Sequence, residues 1–247
     1  MSNEKEIKVL AINSSPHREK SNTSLILDPF LEGMKEEGAN VELYYTNDLE
    51  ISPCKGDFGC WIKTPGQCIK KDDMKWLNQK ISQVDIWIIA SPVYCDGVNA
   101  PMKTFMDRTV PTVLPFFEIE DSHLRHPPRE GVKKGKIVLV SNCGFWEMDN
   151  FDPLVKHMEA FCRNARDEFA GALLRPHGPA LRNMIEMGMP VNDILDAAKQ
   201  AGRQLVKDGK MSDNALKTVS RELLPKEMYI QIVNQYYTEE LKKLEKK

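Results

Sequence analysis

Hydrophobic and polar positions divide the chain into short apolar runs separated by turn residues and amphipathic stretches. Ile7, Val9, Leu10, Ala11 and Ile12 form an almost unbroken apolar run, the pattern of a parallel strand buried on both faces. Asn13 ends it, and Ser14, Ser15, Pro16 and His17 follow as turn residues. Ser21, Asn22 and Thr23 then open a helical pattern with Leu25, Leu27, Phe30, Leu31 and Met34 on its apolar face. Val41, Leu43 and Tyr45 alternate as a second strand. Val84–Ala90 and Ile137–Val140 repeat the doubly buried pattern, and residues 168–174 make a weaker fifth strand. Helical periodicity falls between them: a short helix from Met74 to Ile81 capped by Asp72 and Asp73, one over 100–110, and one over 152–164. Residues 111–136, with four prolines, read as loop.

Strands alternating with helices at this spacing predict βαβ units, hence a doubly wound α/β fold with a five-stranded parallel sheet. Beyond Pro179 only helical periodicity is seen, over 193–206 and 226–244. Residues 1–179 are therefore read as the α/β domain. Residues 180–247 are read as a C-terminal helical arm packed on it or on a neighbouring subunit, with LKKLEKK a solvated end.

In an open parallel sheet, ligands sit outside the C-terminal ends of the strands. Loops 13–23, 91–97 and 141–146 leave three such ends and should converge on one crevice. The first joins a strand to a helix N-terminus through a hydroxyl-rich turn. Free N–H groups and the helix dipole there suit a phosphate, although a simple helix cap explains the same residues. Neither GxxxxGK[ST] nor GxGxxG is present, which argues against ATP and against a nicotinamide-binding domain of that type.

Composition narrows the class. Of 247 residues, 34 are Lys or Arg and 36 Asp or Glu, a balance that gives no case for nucleic acid. No apolar run approaches the roughly 20 residues that span a bilayer, and MSNEKEIK does not read as a signal peptide; a cytoplasmic location away from membranes is expected. Three of the six cysteines, Cys54, Cys60 and Cys68, lie within 15 residues, which in a reducing compartment suggests metal or redox chemistry.

Three blocks, Ser14–Thr23, Pro53–Met74 with SPVY…APMK…DR at 91–108, and Ser141–Trp146, carry a resemblance over residues 7 to about 175. They resemble the NADPH-dependent FMN reductase-like family of flavodoxin-fold proteins, in its iron–sulfur flavoprotein branch. The resemblance implies a flavodoxin-like strand order of 2-1-3-4-5 and an FMN cofactor. It puts Ser15, Ser21, Asn22 and Thr23 on the FMN phosphate, with either His17 or Arg18 as the facing cation. Pro92, Val93, Tyr94, Cys95, Asp96 and Gly97 would line the ring and ribityl chain, and Asn142, Cys143 and Gly144 would form the third contact. Taken by themselves, Cys143, Cys95 and Cys162 read as packed small residues rather than nucleophiles. Asp107 and Arg108 read as an ion pair on the helix after the third strand.

The branch carries C-x2-C-x2-C and a later cysteine. Here Cys54, Cys60 and Cys68 match, and Asp57 stands where the second cysteine should be. A [4Fe–4S] cluster with one carboxylate ligand, a zinc site, a redox disulfide and a metal-free loop all remain open. The implied activity is FMN-dependent transfer of a hydride or electrons from NAD(P)H or a reduced carrier to a quinone, a flavin or another small acceptor. A non-enzymatic electron carrier serving redox partner proteins is the alternative. No acid–base pair is evident, as expected when flavin carries the chemistry. A homo-oligomer is implied, and His123 and His126 are expected to cover the substrate side without a catalytic role.

Overall fold

A computed structural model describes residues 6–245. Residues 1–5, which begin the segment judged not to be a signal peptide, and the last two lysines of the expected solvated end lie outside the described residues.

The sheet runs β2 (Asn40–Tyr45), β1 (Lys8–Asn13), β3 (Ile86–Tyr94), β7 (Lys136–Asn142), β8 (Glu168–Arg175), with every neighbouring pair parallel. This is the order that the family resemblance implies. A two-residue strand β4 (Gly97–Val98) folds back antiparallel on β3. Register aligns the strand ends: Asn13 lies opposite Tyr45 and Ala90, Ser91 opposite Ser141, and Pro92 opposite Asn142.

Side chains alternate along each strand, so the apolar runs feed two separate cores. Val9, Ala11, Ile88, Ala90, Val138 and Val140 face one side, covered by α1 (Ser24–Glu36), α6 (Gly178–Glu186), α7 (Asn192–Asp208) and α8 (Asp213–Ser220). Leu10, Ile12, Trp87, Ile89, Ile137 and Leu139 face the other, covered by α3 (Met74–Ile81), α4 (Ala100–Asp107) and α5 (Asp152–Ala165). The helix α1 crosses α7 at glycine. A Cβ on Gly33 would stand 1.9 Å from the Lys199 carbonyl oxygen, and one on Gly202 would stand 2.0 Å from that of Phe30.

Several local expectations are corrected. Residues 111–136 are not all loop: β5 (Glu118–Glu120) and β6 (His123–Arg125) form a hairpin. The cysteine stretch contains a single turn, α2 (Gly59–Ile62). Asp73 makes no side-chain cap on α3. Its carboxylate accepts instead from Glu50 N at 2.7 Å and from the Trp76 indole at 2.9 Å. Asp107 and Arg108 do not pair with each other: Asp107 pairs with Lys103, whereas Arg108 forms a bidentate pair with Asp72. The periodicity of α6 and α8 is too short to stand out in sequence. The last helix, α9 (Lys226–Leu244), buries only Tyr229.

Candidate functional site

The three loops meet at the C-terminal edge of the sheet and are stitched together. Ser14 N and Oγ both donate to the Ala90 carbonyl, and Asn99 Nδ2 donates to the Ser14 carbonyl at 2.7 Å. Ser141 Oγ donates to the Ser91 carbonyl at 2.7 Å. Thr23 Oγ1 donates to Asn142 Oδ1 at 2.6 Å, tying the first loop to the third across 119 residues.

Within the first loop, Ser21 and Thr23 are buried and their hydroxyl protons are already committed, Ser21 to Ser24 and Thr23 to Asn142. Ser21 Oγ also accepts from Ser24 N at the start of α1. Ser15 N donates to Asn13 Oδ1. His17 and Arg18 are exposed; Arg18 has a left-handed backbone (φ 49°) and pairs with Asp48. The N–H groups of His17, Asn22 and Thr23 have no partner among the described residues. Asn22 Oδ1 accepts from Arg182 Nε at 2.8 Å, a partner on α6 that no spacing in the sequence announces.

The second loop is tighter than the sequence suggests. Pro92 lies buried within β3 and Val93 packs on the second core. Cys95 and Asp96 form a two-residue hairpin with φ 47° and 63°, the left-handed pair of a type I′ turn. Cys95 is exposed there, not packed as expected, whereas Cys143 and Cys162 are buried. Tyr94 is half exposed beside the turn, and Gly97 begins β4. The Cys95 and Asp96 N–H groups are also without protein partners among the described residues.

The third loop is held from behind by residues absent from every motif above. Cys143 N donates to the Arg175 carbonyl, Gly178 N to that of Cys143, and His177 N to that of Phe145. The Tyr229 hydroxyl donates to the Gly144 carbonyl, and the Trp146 indole to the Leu224 carbonyl at 3.1 Å. Glu147 pairs with Lys226. With its carbonyls engaged this way, the loop leaves the Gly144 and Trp146 N–H groups unspent among the described residues.

Beneath it, Arg175 is fully buried with no carboxylate partner among the described residues. Its guanidinium caps the C-terminal end of α8, donating to the Val219 and Arg221 carbonyls at 2.6 Å each. Burial, with Arg221 nearby, pulls its pKa down to about 10. His177 stacks on Trp146 at an interplanar angle of 13°, and its Nε2 accepts from Leu223 N at 3.1 Å. Burial and the neighbouring Arg175 pull His177 down to about 4, so the imidazole is neutral near pH 7. Burial pushes the Cys143 thiol up, leaving it unreactive.

Cys54, Cys60 and Cys68 share a small cavity with Asp57 and Arg108. Asp57 Oδ1 accepts from Gly59 N at 2.8 Å and so serves the turn into α2. Among the described residues no three His, Cys, Asp or Glu side chains are arranged to hold a metal ion. Three thiols, with the fourth position occupied by a carboxylate turned to the backbone, do not fit a four-thiolate cluster. Burial and the nearby Cys68 raise the Cys60 thiol. His126 stands 4.8 Å from both Trp61 and Phe117, so the cysteine segment and the 111–130 segment form one aromatic wall.

The family model for NADPH-dependent FMN reductase matches residues 7–140, more than half of the chain. An iron–sulfur flavoprotein of Archaeoglobus fulgidus is 33% identical over 138 residues, 56% of this chain and 56% of that protein. The iron–sulfur flavoprotein MJ1083 of Methanocaldococcus jannaschii is 37% identical over 110 residues, 44% of this chain and 55% of the relative. The chain thus spans about half the length of the curated relatives it matches. An azoreductase structure from Bacillus anthracis superposes with a TM-score of 0.60 at 14% identity, covering 80% of this chain and 99% of that one, a likeness of fold. With the strand order, the three stitched loops and the family match in agreement, the chain belongs to the NADPH-dependent FMN reductase family.

Proposed function

We propose that this protein binds FMN in the crevice between loops 13–23, 91–97 and 141–146. There it moves a hydride or electrons from NAD(P)H or a reduced carrier to a small acceptor such as a quinone, a flavin, or a nitro or azo compound. One observation carries the reading: three loops at the strand ends, stitched to one another, leave N–H donors unspent in each.

FMN, when bound, supplies the hydride and electron chemistry. The chain supplies position and field. The N–H groups of Asn22 and Thr23, at the start of α1, suit the phosphate. Those of Cys95, Asp96, Gly144 and Trp146 favour negative charge on a ring held between the second and third loops. The rigid I′ turn presents its two donors without a side-chain rearrangement, and exposed Tyr94 and Phe145 offer apolar walls that exclude water.

The cysteine segment stands outside this chemistry and packs on the 111–130 segment through Trp61 and His126. No helix among the described residues is long and apolar enough to cross a membrane. A cytoplasmic homo-oligomer completes the reading, supported by the exposed Ile230, Tyr236, Tyr237 and Leu241 of α9.

The test is the absorption spectrum of anaerobically purified protein, with iron and sulfide assays and NAD(P)H oxidation on the same sample. Flavin bands with sustained NAD(P)H oxidation support an enzyme; flavin without turnover favours an electron carrier. Protein that stays colourless after incubation with FMN overturns the proposal. Stoichiometric iron and sulfide would show that the cysteine segment rearranges to take a cluster.

A further inference from the structure

We propose that Arg182, on α6, is the cation that meets the FMN phosphate; the assignment rests on the FMN reading above. Two basic residues in the first loop, His17 and Arg18, are the obvious candidates by sequence. Arg18, however, spends its guanidinium on Asp48, and both residues stand exposed.

Arg182 is placed differently. The first residue of its helix, Gly178, lies against the first and third loops: a Cβ there would stand 3.0 Å from Asn142 Nδ2 and 3.4 Å from the Asn22 Cβ. Four residues on, and so on the same helix face, Arg182 donates Nε to Asn22 Oδ1 at 2.8 Å. Its Nη2 is fully buried and has no acceptor among the described residues. No carboxylate pairs with it among the described residues.

A dry guanidinium nitrogen without an acceptor is costly and calls for an explanation. Here it adjoins the residue whose own N–H, with that of Thr23, is free at the N-terminal end of a 13-residue helix. A tetrahedral phosphomonoester matches this set: its oxygens take the two N–H groups and Nη2, and its charge neutralises the guanidinium. Asn22 then acts as a positioning residue. It locks the guanidinium through Oδ1 and leaves its Nδ2 for the same oxyanion.

Riboflavin, which lacks the phosphate, separates this role from a structural one. Apo-protein is titrated with FMN and with riboflavin by flavin fluorescence, in wild type, Arg182→Met and Arg182→Lys, with thermal melts of each. Arg182→Met is expected to weaken FMN about 10- to 100-fold, the value of a charge-assisted hydrogen bond, and to leave riboflavin within about twofold. Inorganic phosphate should compete with FMN in wild type and lose that effect in the variant. Arg182→Lys keeps the charge without the fork and is expected to lose FMN affinity roughly 3- to 10-fold. It supplies the same comparison if Arg182→Met does not fold. Equal losses for both flavins, or no loss, overturn the assignment while the FMN reading stands. Wild type that binds neither flavin overturns the reading itself.

Discussion

The Tyr229 hydroxyl donates its proton to the carbonyl of Gly144, 85 residues earlier in the chain. Tyr229 is the buried residue of α9, so the last helix reaches the third loop through a buried side chain. Its neighbours reinforce the contact: Leu224 accepts from Trp146, and Lys226 pairs with Glu147 and lies 6.0 Å from the Trp146 ring.

Tyr229→Phe keeps the ring and removes the donor. A net hydrogen bond of about 0.5–1.5 kcal/mol is lost, and FMN should bind roughly two- to tenfold more weakly. Flavin titration beside a thermal melt checks this. A variant with full FMN affinity would show that the loop holds its shape without the helix.

His177 sets a pH dependence. Its folded pKa of about 4 lies below the ordinary 6.5, so the unfolded chain binds more protons between those values. Its contribution is therefore complete above about pH 6.5 and is lost as pH falls towards 4. The effect is on the order of 2–3 kcal/mol. Urea denaturation at pH 7, 5.5 and 4.5 measures it. His177→Asn, which tolerates the left-handed backbone at this position (φ 39°), should flatten the slope.

Arg108 and Asp72 form a bidentate pair with side chains 1% and 7% exposed. Burial raises the Asp72 carboxyl, but hydrogen bonds led by Arg108 outweigh it and hold the pKa below the usual carboxylate value. The pair thus stabilises above that range, and the contribution is lost as pH falls through the lowered value. Arg108→Met strands a buried carboxylate and should cost about 3–5 kcal/mol in denaturant titration. A loss under about 1 kcal/mol would mean that water reaches Asp72.

The crossing of α1 and α7 tolerates no side chain. Gly202→Ala would place a methyl 2.0 Å from the Phe30 carbonyl oxygen, backbone that cannot rotate away. A loss of roughly 2 kcal/mol or more is expected in a thermal or urea melt. An unchanged midpoint would mean that the helices slide apart freely.

The strands and the three loops at their ends were legible because doubly buried strands leave unbroken apolar runs, as in Val84–Ala90 and Ile137–Val140, and turn residues mark where they end; the order of the strands came from the family resemblance, not from their pattern. What was not legible depends on long-range contact. Arg182 reaches Asn22 across 160 residues, and nothing around Asn22 encodes it. Arg108 and Asp107 are adjacent in sequence but turn to different partners, a choice made by the burial of one and not the other. Asp72 and Asp73 look like a helix cap; Asp72 Oδ1 does accept from Met74 N at 3.3 Å, but Asp73 instead takes Glu50 N and the Trp76 indole, and Asp72 is shared with Ser52 N and the Arg108 guanidinium. Cys95 misled because a type I′ turn can be built from residues other than glycine and asparagine, and its tip is exposed whatever stands there.

A chain emerges from the ribosome in order, and domains begin to fold as they appear. The strands of the family-matched half, residues 7–140, are therefore synthesised well before the residues that brace the crevice from behind. His177, Arg182 and Tyr229 arrive last and act on segments already in place. During translation the nascent sheet presents an open, weakly held crevice. The third loop gains its last brace only once residue 229 has docked, long after the three loops themselves have been synthesised.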